Sequence, residues 1–194
     1  MLIKTTRFGL VELNSEDVLT FHEGLLGFKD LRQFVLLDDP NDDIFAWLQS
    51  CELSSMAFPV LEPELFGHKY TADLNRTDLE YLKIKTGQAP AFLSIITIPD
   101  DPTQMTANIK APIVINLEQK IARQCVLQDN HLAIREPIFT KLQSRVVQNP
   151  QTPIKNQGRQ FDMTVRISLV AADISTEASA DAKASSDKAI DQDV

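Results

Sequence analysis

Three histidines, two cysteines and many carboxylates are the side chains of this chain that could do chemistry, and their spacing argues against most of it. His22, His68 and His131 lie far apart in sequence. None has a partner three or four residues away, the separation at which a helix presents two ligands to one metal ion. Each reads as a structural or surface histidine. Cys51 and Cys125 both sit in apolar neighbourhoods, the setting of a buried, inert thiol. Asp42 and Asp43 are adjacent in a polar loop, where solvated charge is a better account than an acid–base pair. Gly24-Leu25-Leu26-Gly27-Phe28 does not open a helix after a strand, as a dinucleotide-binding turn must. It reads as a tight turn that needs positive φ. No Gly-x-Ser-x-Gly nucleophile elbow is present. The expectation is a chain without catalytic residues, cofactor or metal.

Charge points elsewhere. The net charge is −8, and no Lys or Arg occurs from Gln33 to His68, a window holding Asp38, Asp39, Asp42, Asp43, Glu52, Glu62 and Glu64. Phosphate binding needs clustered cations, so direct contact with nucleic acid is not expected. Two readings stay open for the window: a solvated face that aids solubility, or a surface that meets a basic protein. Trp47 leaves a similar choice, between core packing and a binding anchor.

The elements that must position these residues are mostly strands. At 194 residues and 43% hydrophobic, the chain supports one full core rather than two domains. No apolar run is long enough to span a bilayer, and the N-terminus lacks the pattern of a signal peptide, so a cytoplasmic protein is expected. Short apolar runs at Gly9–Leu13, Val18–Phe21, Phe34–Leu37, Phe45–Leu48, Ala57–Leu61, Phe92–Ile98, Ile113–Ile115 and Cys125–Leu127 argue for a mainly β fold. The expected architecture is a compact antiparallel barrel or sandwich with one or two short helices. Phe92–Ile98 is apolar on both faces and reads as a central strand, and Pro59 marks an edge or bulge. Thr77 and Glu80 form a capping-box pattern that predicts a helix over 78–85, closed by Gly87.

Residues 1–147 read as the globular body and 148–160 as a linker. The alternation of Phe161, Met163, Val165, Ile167 and Leu169 with polar residues reads as an additional half-buried strand over 161–170 that pairs onto an edge of the body. Residues 171–194, rich in Ala, Asp and Ser without an aromatic residue, read as a disordered tail.

Several segments carry a family resemblance together. They are Arg7-Phe8-Gly9; Phe21 through Phe28; Trp47-Leu48-Gln49-Ser50; Phe58 through Pro63; Tyr70 and the helix with Asp78, Leu79 and Leu82; Ile95 to Pro99; Asn108 through Asn116, with Lys110-Ala111-Pro112-Ile113-Val114-Ile115-Asn116 the most informative stretch; and Gln124-Cys125-Val126-Leu127. In this order and spacing, over about residues 1–142, the chain resembles the FliW family of flagellar assembly factors. The resemblance implies a small, β-rich, non-catalytic cytoplasmic protein that binds flagellin before export. It also implies binding to CsrA, a small dimeric RNA-binding repressor of flagellin translation, once flagellin has been exported.

Two surfaces are expected to serve such partners. Asp38, Asp39, Asp42 and Asp43 would meet the basic surface of CsrA. The segment from Asn108 through Pro112, Ile113 and Val114 to Asn116 would leave one strand face open to an apolar partner such as a flagellin terminal helix, unless its aliphatics are core. The C-terminal addition beyond residue 147 departs from the family pattern. Two other readings fit the size and strand content, a flavin-binding split-barrel oxidoreductase and a general export chaperone. The first needs a cation cluster or backbone nest for a phosphate, and no convincing cluster occurs in the sequence.

Overall fold

The structure is a computed structural model that describes residues 1–70, 74–157 and 164–167. Strands β1 (Leu2–Thr5) and β2 (Gly9–Glu12) form an antiparallel hairpin apart from the main sheet. Strands β3 (Val18–Thr20), β4 (Gln33–Asp38), β5 (Ala46–Ser50), β6 (Ala57–Leu61) and β7 (Ala91–Thr97) then run as an antiparallel meander. Beyond β8 (Thr106–Ala107), strand β9 (Ile113–Asn116) returns to pair with β7, and β10 (Ile121–Gln124) pairs with β9. A parallel contact of Ile121 with Thr20 joins β10 to β3 and closes a seven-stranded barrel. The short β8 and β11 (Glu136–Pro137) extend one flank, and β12 (Val165–Arg166) joins β4 in parallel. The mainly β barrel of the sequence reading is present, with these two parallel pairings added to the antiparallel set.

Closure explains why several strands are apolar on both faces. Phe34 and Leu36 of β4, Leu48 of β5, Val60 of β6, Leu93 of β7 and Ile113 and Ile115 of β9 fill the barrel. The intervening residues face a second layer. Val35, Leu37, Trp47, Leu61 and Ile96 pack under the β1–β2 hairpin and helix α2 (Phe139–Gln148). Val114 and Ile121 pack under helix α1 (Arg76–Tyr81), against Leu82 and Cys125. A barrel strand covered from outside loses its polar face, just as a parallel-sheet strand does. Pro59 does not mark an edge. It pairs with Trp47 within the ladder to β5, while the ladder to β7 is made at Val60 and Leu61.

Two readings of local structure need correction. Helix α1 spans Arg76–Tyr81 rather than 78–85, and its cap is Asn75, whose side chain accepts from the Asp78 amide at 2.8 Å. The helix stops at Lys83, which takes φ 54°. Ile84 donates to the Leu79 carbonyl and Lys83 to that of Glu80, the paired bonds of a Schellman end. Here a lysine occupies the left-handed position usually held by glycine. The stretch 148–160 is not a loose linker over its described part. Ile154 and Lys155 are buried in a 3₁₀ turn, and the Ile154 amide donates to the Asp43 carbonyl at 2.7 Å. Composition hid this because one aliphatic and one paired cation suffice to dock a short segment. Of the strand read over 161–170, Val165–Arg166 is present as β12, while 161–163 and 168–170, with the tail 171–194, lie outside the described residues.

Candidate partner-binding site

The acidic window is largely used up in building its own loop. Asp42 caps the β4–β5 connection. One carboxylate oxygen accepts from the amides of Ile44 and Phe45, both at 2.9 Å, and the other accepts from the Trp47 indole Nε1 at 2.9 Å. Asp39 accepts from the Asn41 amide at 2.9 Å. Asp38 is buried, and its carboxylate lies 2.5 Å from Lys155 Nζ. Of the four, only Asp43 is exposed. Cations absent from the window in sequence reach it in space, Lys155 at Asp38 and Arg7 with its guanidinium 3.7 Å from the Trp47 ring centroid. The four aspartates therefore do not form one open acidic face. Trp47 is a packing residue, 7% exposed, with Phe8 edge-on at 6.0 Å.

The segment 108–116 is core, not an open strand face. Pro112, Ile113, Val114 and Asn116 are buried, and β9 is hydrogen-bonded on both sides, to β7 and β10. Asn108, half-buried, accepts from the Ala111 amide at 2.9 Å and shapes the turn into β9. Asn116 donates to the Leu82 carbonyl at 2.8 Å and accepts from Gln88 at 3.0 Å, tying the strand to the end of α1. The informative sequence stretch is thus a barrel stave and a clasp. Its alternation followed the two sides of a covered strand.

Among the described residues, a cleft of about 650 Å³ lies open on the outside of the barrel, where β10, α1 and the turn after β3 meet. Two segments far apart in sequence join there, with the Leu26 amide donating to Gln124 Oε1 at 3.2 Å. Gly24 permits that turn. It holds φ +69°, and a Cβ would lie 2.4 Å from the Phe28 carbonyl oxygen. At the centre is Arg123. Its guanidinium reaches Asp78 at 3.1 Å and Glu23 at 3.0 Å, and stacks 4.4 Å from the Tyr81 ring centroid. Tyr81 accepts from the Glu23 amide at 3.0 Å, closing the network. Burial pushes the Tyr81 hydroxyl pKa up. Leu26 and Val126 are exposed at the cleft, and Phe28, two residues beyond Leu26, stands edge-on to Phe58 at 5.5 Å.

An arginine stacked on a tyrosine beside exposed apolar side chains has the composition enriched at protein interfaces. Arg123, Tyr81 and Leu26 were not singled out from sequence. The signal was present, because Phe21 through Phe28, the helix with Asp78, and Gln124 through Leu127 are three of the segments that carry the resemblance, and they converge here.

Of the thiols and histidines, His22 and Cys125 line this cleft, with His22 edge-on to Tyr81 at 5.7 Å. Cys125 is buried and its pKa is pushed up to about 12, mainly by burial and then by Asp78. Cys51 is pushed up to about 11 by burial and then by Glu52. His68 stands edge-on to Tyr70 at 4.5 Å and burial lowers its pKa. Among the described residues no group of three or more His, Cys, Asp or Glu side chains is placed to hold a metal ion, and no helix is long and apolar enough to cross a membrane.

Comparison with known proteins agrees with the segments and the fold. A profile described as FliW protein matches residues 2–138. The flagellar assembly factor FliW of Bdellovibrio bacteriovorus is 65% identical over 170 residues, covering 88% of this chain and 97% of that protein. The factor of the same name from Thermoanaerobacter pseudethanolicus is 36% identical, over 74% of this chain and 97% of its own length. A crystal structure of the flagellar assembly factor FliW superposes with a TM-score of 0.66 at 32% identity, covering 72% of this chain and 97% of that one. With the motifs, the closed barrel and these matches in agreement, the chain belongs to the FliW family.

Proposed function

We propose that this chain is a non-catalytic flagellar assembly factor of the cytoplasm that binds flagellin and, when flagellin has been exported, binds CsrA and relieves its repression of flagellin translation. The observation that carries the reading is the convergence of three resemblance segments at one open cleft on the outside of the barrel. Support comes also from relatives described as flagellar assembly factors, which match over nearly their whole lengths. The barrel interior is filled by Phe21, Phe34, Leu48 and Ile113, as expected for a barrel of about this strand number, which has room for side chains and little else. Recognition is therefore assigned to the outer surface.

The test is a pull-down of the full chain with the cognate flagellin and the cognate CsrA, separately and together. Capture of each, with flagellin displacing CsrA, is the expected result. Capture of flagellin alone would reduce the protein to a chaperone, and capture of neither would overturn the reading.

A further inference from the structure

The last two residues of β4 have a sheet partner that the barrel itself does not supply. The β3–β4 ladder runs from Thr20↔Gln33 to Val18↔Val35 and stops there. Leu37 is thus paired by β5 on one side only, through Leu37↔Trp47, and Asp38 lies just past the end of that ladder. The open side is filled by β12, in parallel, with Val165 opposite Leu37 and Arg166 opposite Asp38. The Ile167 amide donates to the Asp38 carbonyl at 3.1 Å, and the Ile167 side chain is buried in the outer core. A second piece of the same C-terminal chain docks beside it. Ile154 is buried in that core, and the Lys155 ammonium, 5% exposed, lies 2.5 Å from both the Asp38 carboxylate and the Asp39 carbonyl. Lys155 and Thr164 also line a small cavity bounded by Leu36, Ala46, Val60 and Leu93 of the barrel.

We propose that these two pieces, residues 152–157 and 164–167, are a displaceable strap that occupies a strand-addition site on β4. The partner for that site is an extended protein segment carrying a cation for Asp38 and an aliphatic side chain for the place of Ile167. The strap shows which chemistry the seat selects, with backbone pairing for affinity, a buried carboxylate that demands a cation, and an apolar slot. The barrel does not depend on the strap. Every barrel strand, the hairpin and α1 lie within the 2–138 span of the family match, and a relative from Ruminiclostridium cellulolyticum matches over its whole length with 148 residues. A two-residue ladder with a few side-chain contacts opens far more cheaply than a barrel stave bonded on both sides. The strap therefore acts as an internal competitor, and the occupancy of the β4 edge is set by it and the partner together. This holds whatever the cleft beside Arg123 binds.

The experiment uses the full chain. In native-state hydrogen exchange, the amides of Ile154 and Ile167 are expected to exchange at least a hundredfold faster than those of β9. Exchange at the same rate would mean the strap leaves only when the whole molecule unfolds, and would overturn the proposal. A fluorescein-labelled peptide with the sequence of residues 152–169 is then titrated against the full chain and against its Lys155→Ala/Ile167→Asp variant. At least tenfold tighter binding to the variant is expected, lost again when Asp38→Asn is added. Equal binding to both proteins would also overturn it. Should the variant not fold, the exchange rates decide alone.

Discussion

Arg123 holds two carboxylates of very different surroundings, and that difference fixes what each is worth. The Asp78 side chain is 8% exposed and that of Glu23 is 62% exposed. Removing the arginine strands a buried carboxylate, whereas an exposed pair is worth a few tenths of a kcal/mol. Arg123→Ala should therefore lower the unfolding free energy by roughly 3 kcal/mol, and Glu23→Ala by less than about 0.5 kcal/mol, both read by urea denaturation. The two thiols give a second residue-scale expectation. Their usual pKa is 9.0, and burial holds them at about 11 and 12. Protons are held more tightly in the folded state, so this contribution to stability is complete below about pH 9 and is lost as pH climbs toward 11 and 12. The urea midpoint should fall between pH 8 and pH 10, and an aromatic disulfide reagent at pH 8 should label neither cysteine until urea unfolds the chain. Fast labelling of the native protein would contradict the burial. The burial of Cys125 was legible from its apolar neighbours, whereas Cys51 is only half-buried. Arg123 was not, since its partners lie at positions 23 and 78 and only the fold brings them within 3.1 Å.

At the scale of elements, the strands were legible and the helix ends were not. Alternation and short apolar runs mark β4, β7 and β9 because both of their faces are covered, and that leaves a plain aliphatic record. Helix α1 was placed two residues late because Thr77 with Glu80 matched a cap pattern, while the Asn75 side chain makes the bond that starts the helix. Two good cap residues so close together compete, and tertiary contacts decide between them. The end of the same helix carries a removable strain. Lys83 sits at φ 54°, where a side chain costs about 1 kcal/mol relative to glycine. Lys83→Gly should therefore raise the unfolding free energy by about 1 kcal/mol, and a loss of stability would mean that the lysine side chain makes a contribution larger than its strain. Helix α2 was hidden, because its buried residue Leu142 is a lone anchor and Val146 and Val147 face solvent. The linker reading did not hold over the described part, 148–157, for a related reason, since one isoleucine and one lysine docked it.

For the whole molecule, the surface proposed for partners was only half legible. The segments that carry the resemblance were recognised, but the two proposed contact surfaces were placed on a loop scaffold and a barrel stave. Their residues are distinctive because they hold the fold together. The cleft at Leu26 and Val126 forms only when β3 and β10 are joined. Leu26→Asp with Val126→Asp should weaken partner capture at least tenfold while leaving the melting temperature within about 2 °C, as surface changes do; unchanged capture would remove the cleft from consideration. Of the four aspartates of the acidic window, only Asp43 is exposed. Asp43→Asn should slow association with a basic partner by less than about twofold at low salt, because it only changes the net charge of −8 by one and the rest supplies most of the attraction. A large slowing would restore that loop as a docking point. The parallel contact that closes the barrel has a consequence in time. Thr20 finds Ile121, a residue about a hundred positions later, and a ribosome adding ~5–20 residues per second takes roughly 5–20 s to deliver it. Throughout that interval β3 is the open edge of a growing sheet. Each new copy of the protein must keep that edge from foreign strands before its own last stave emerges.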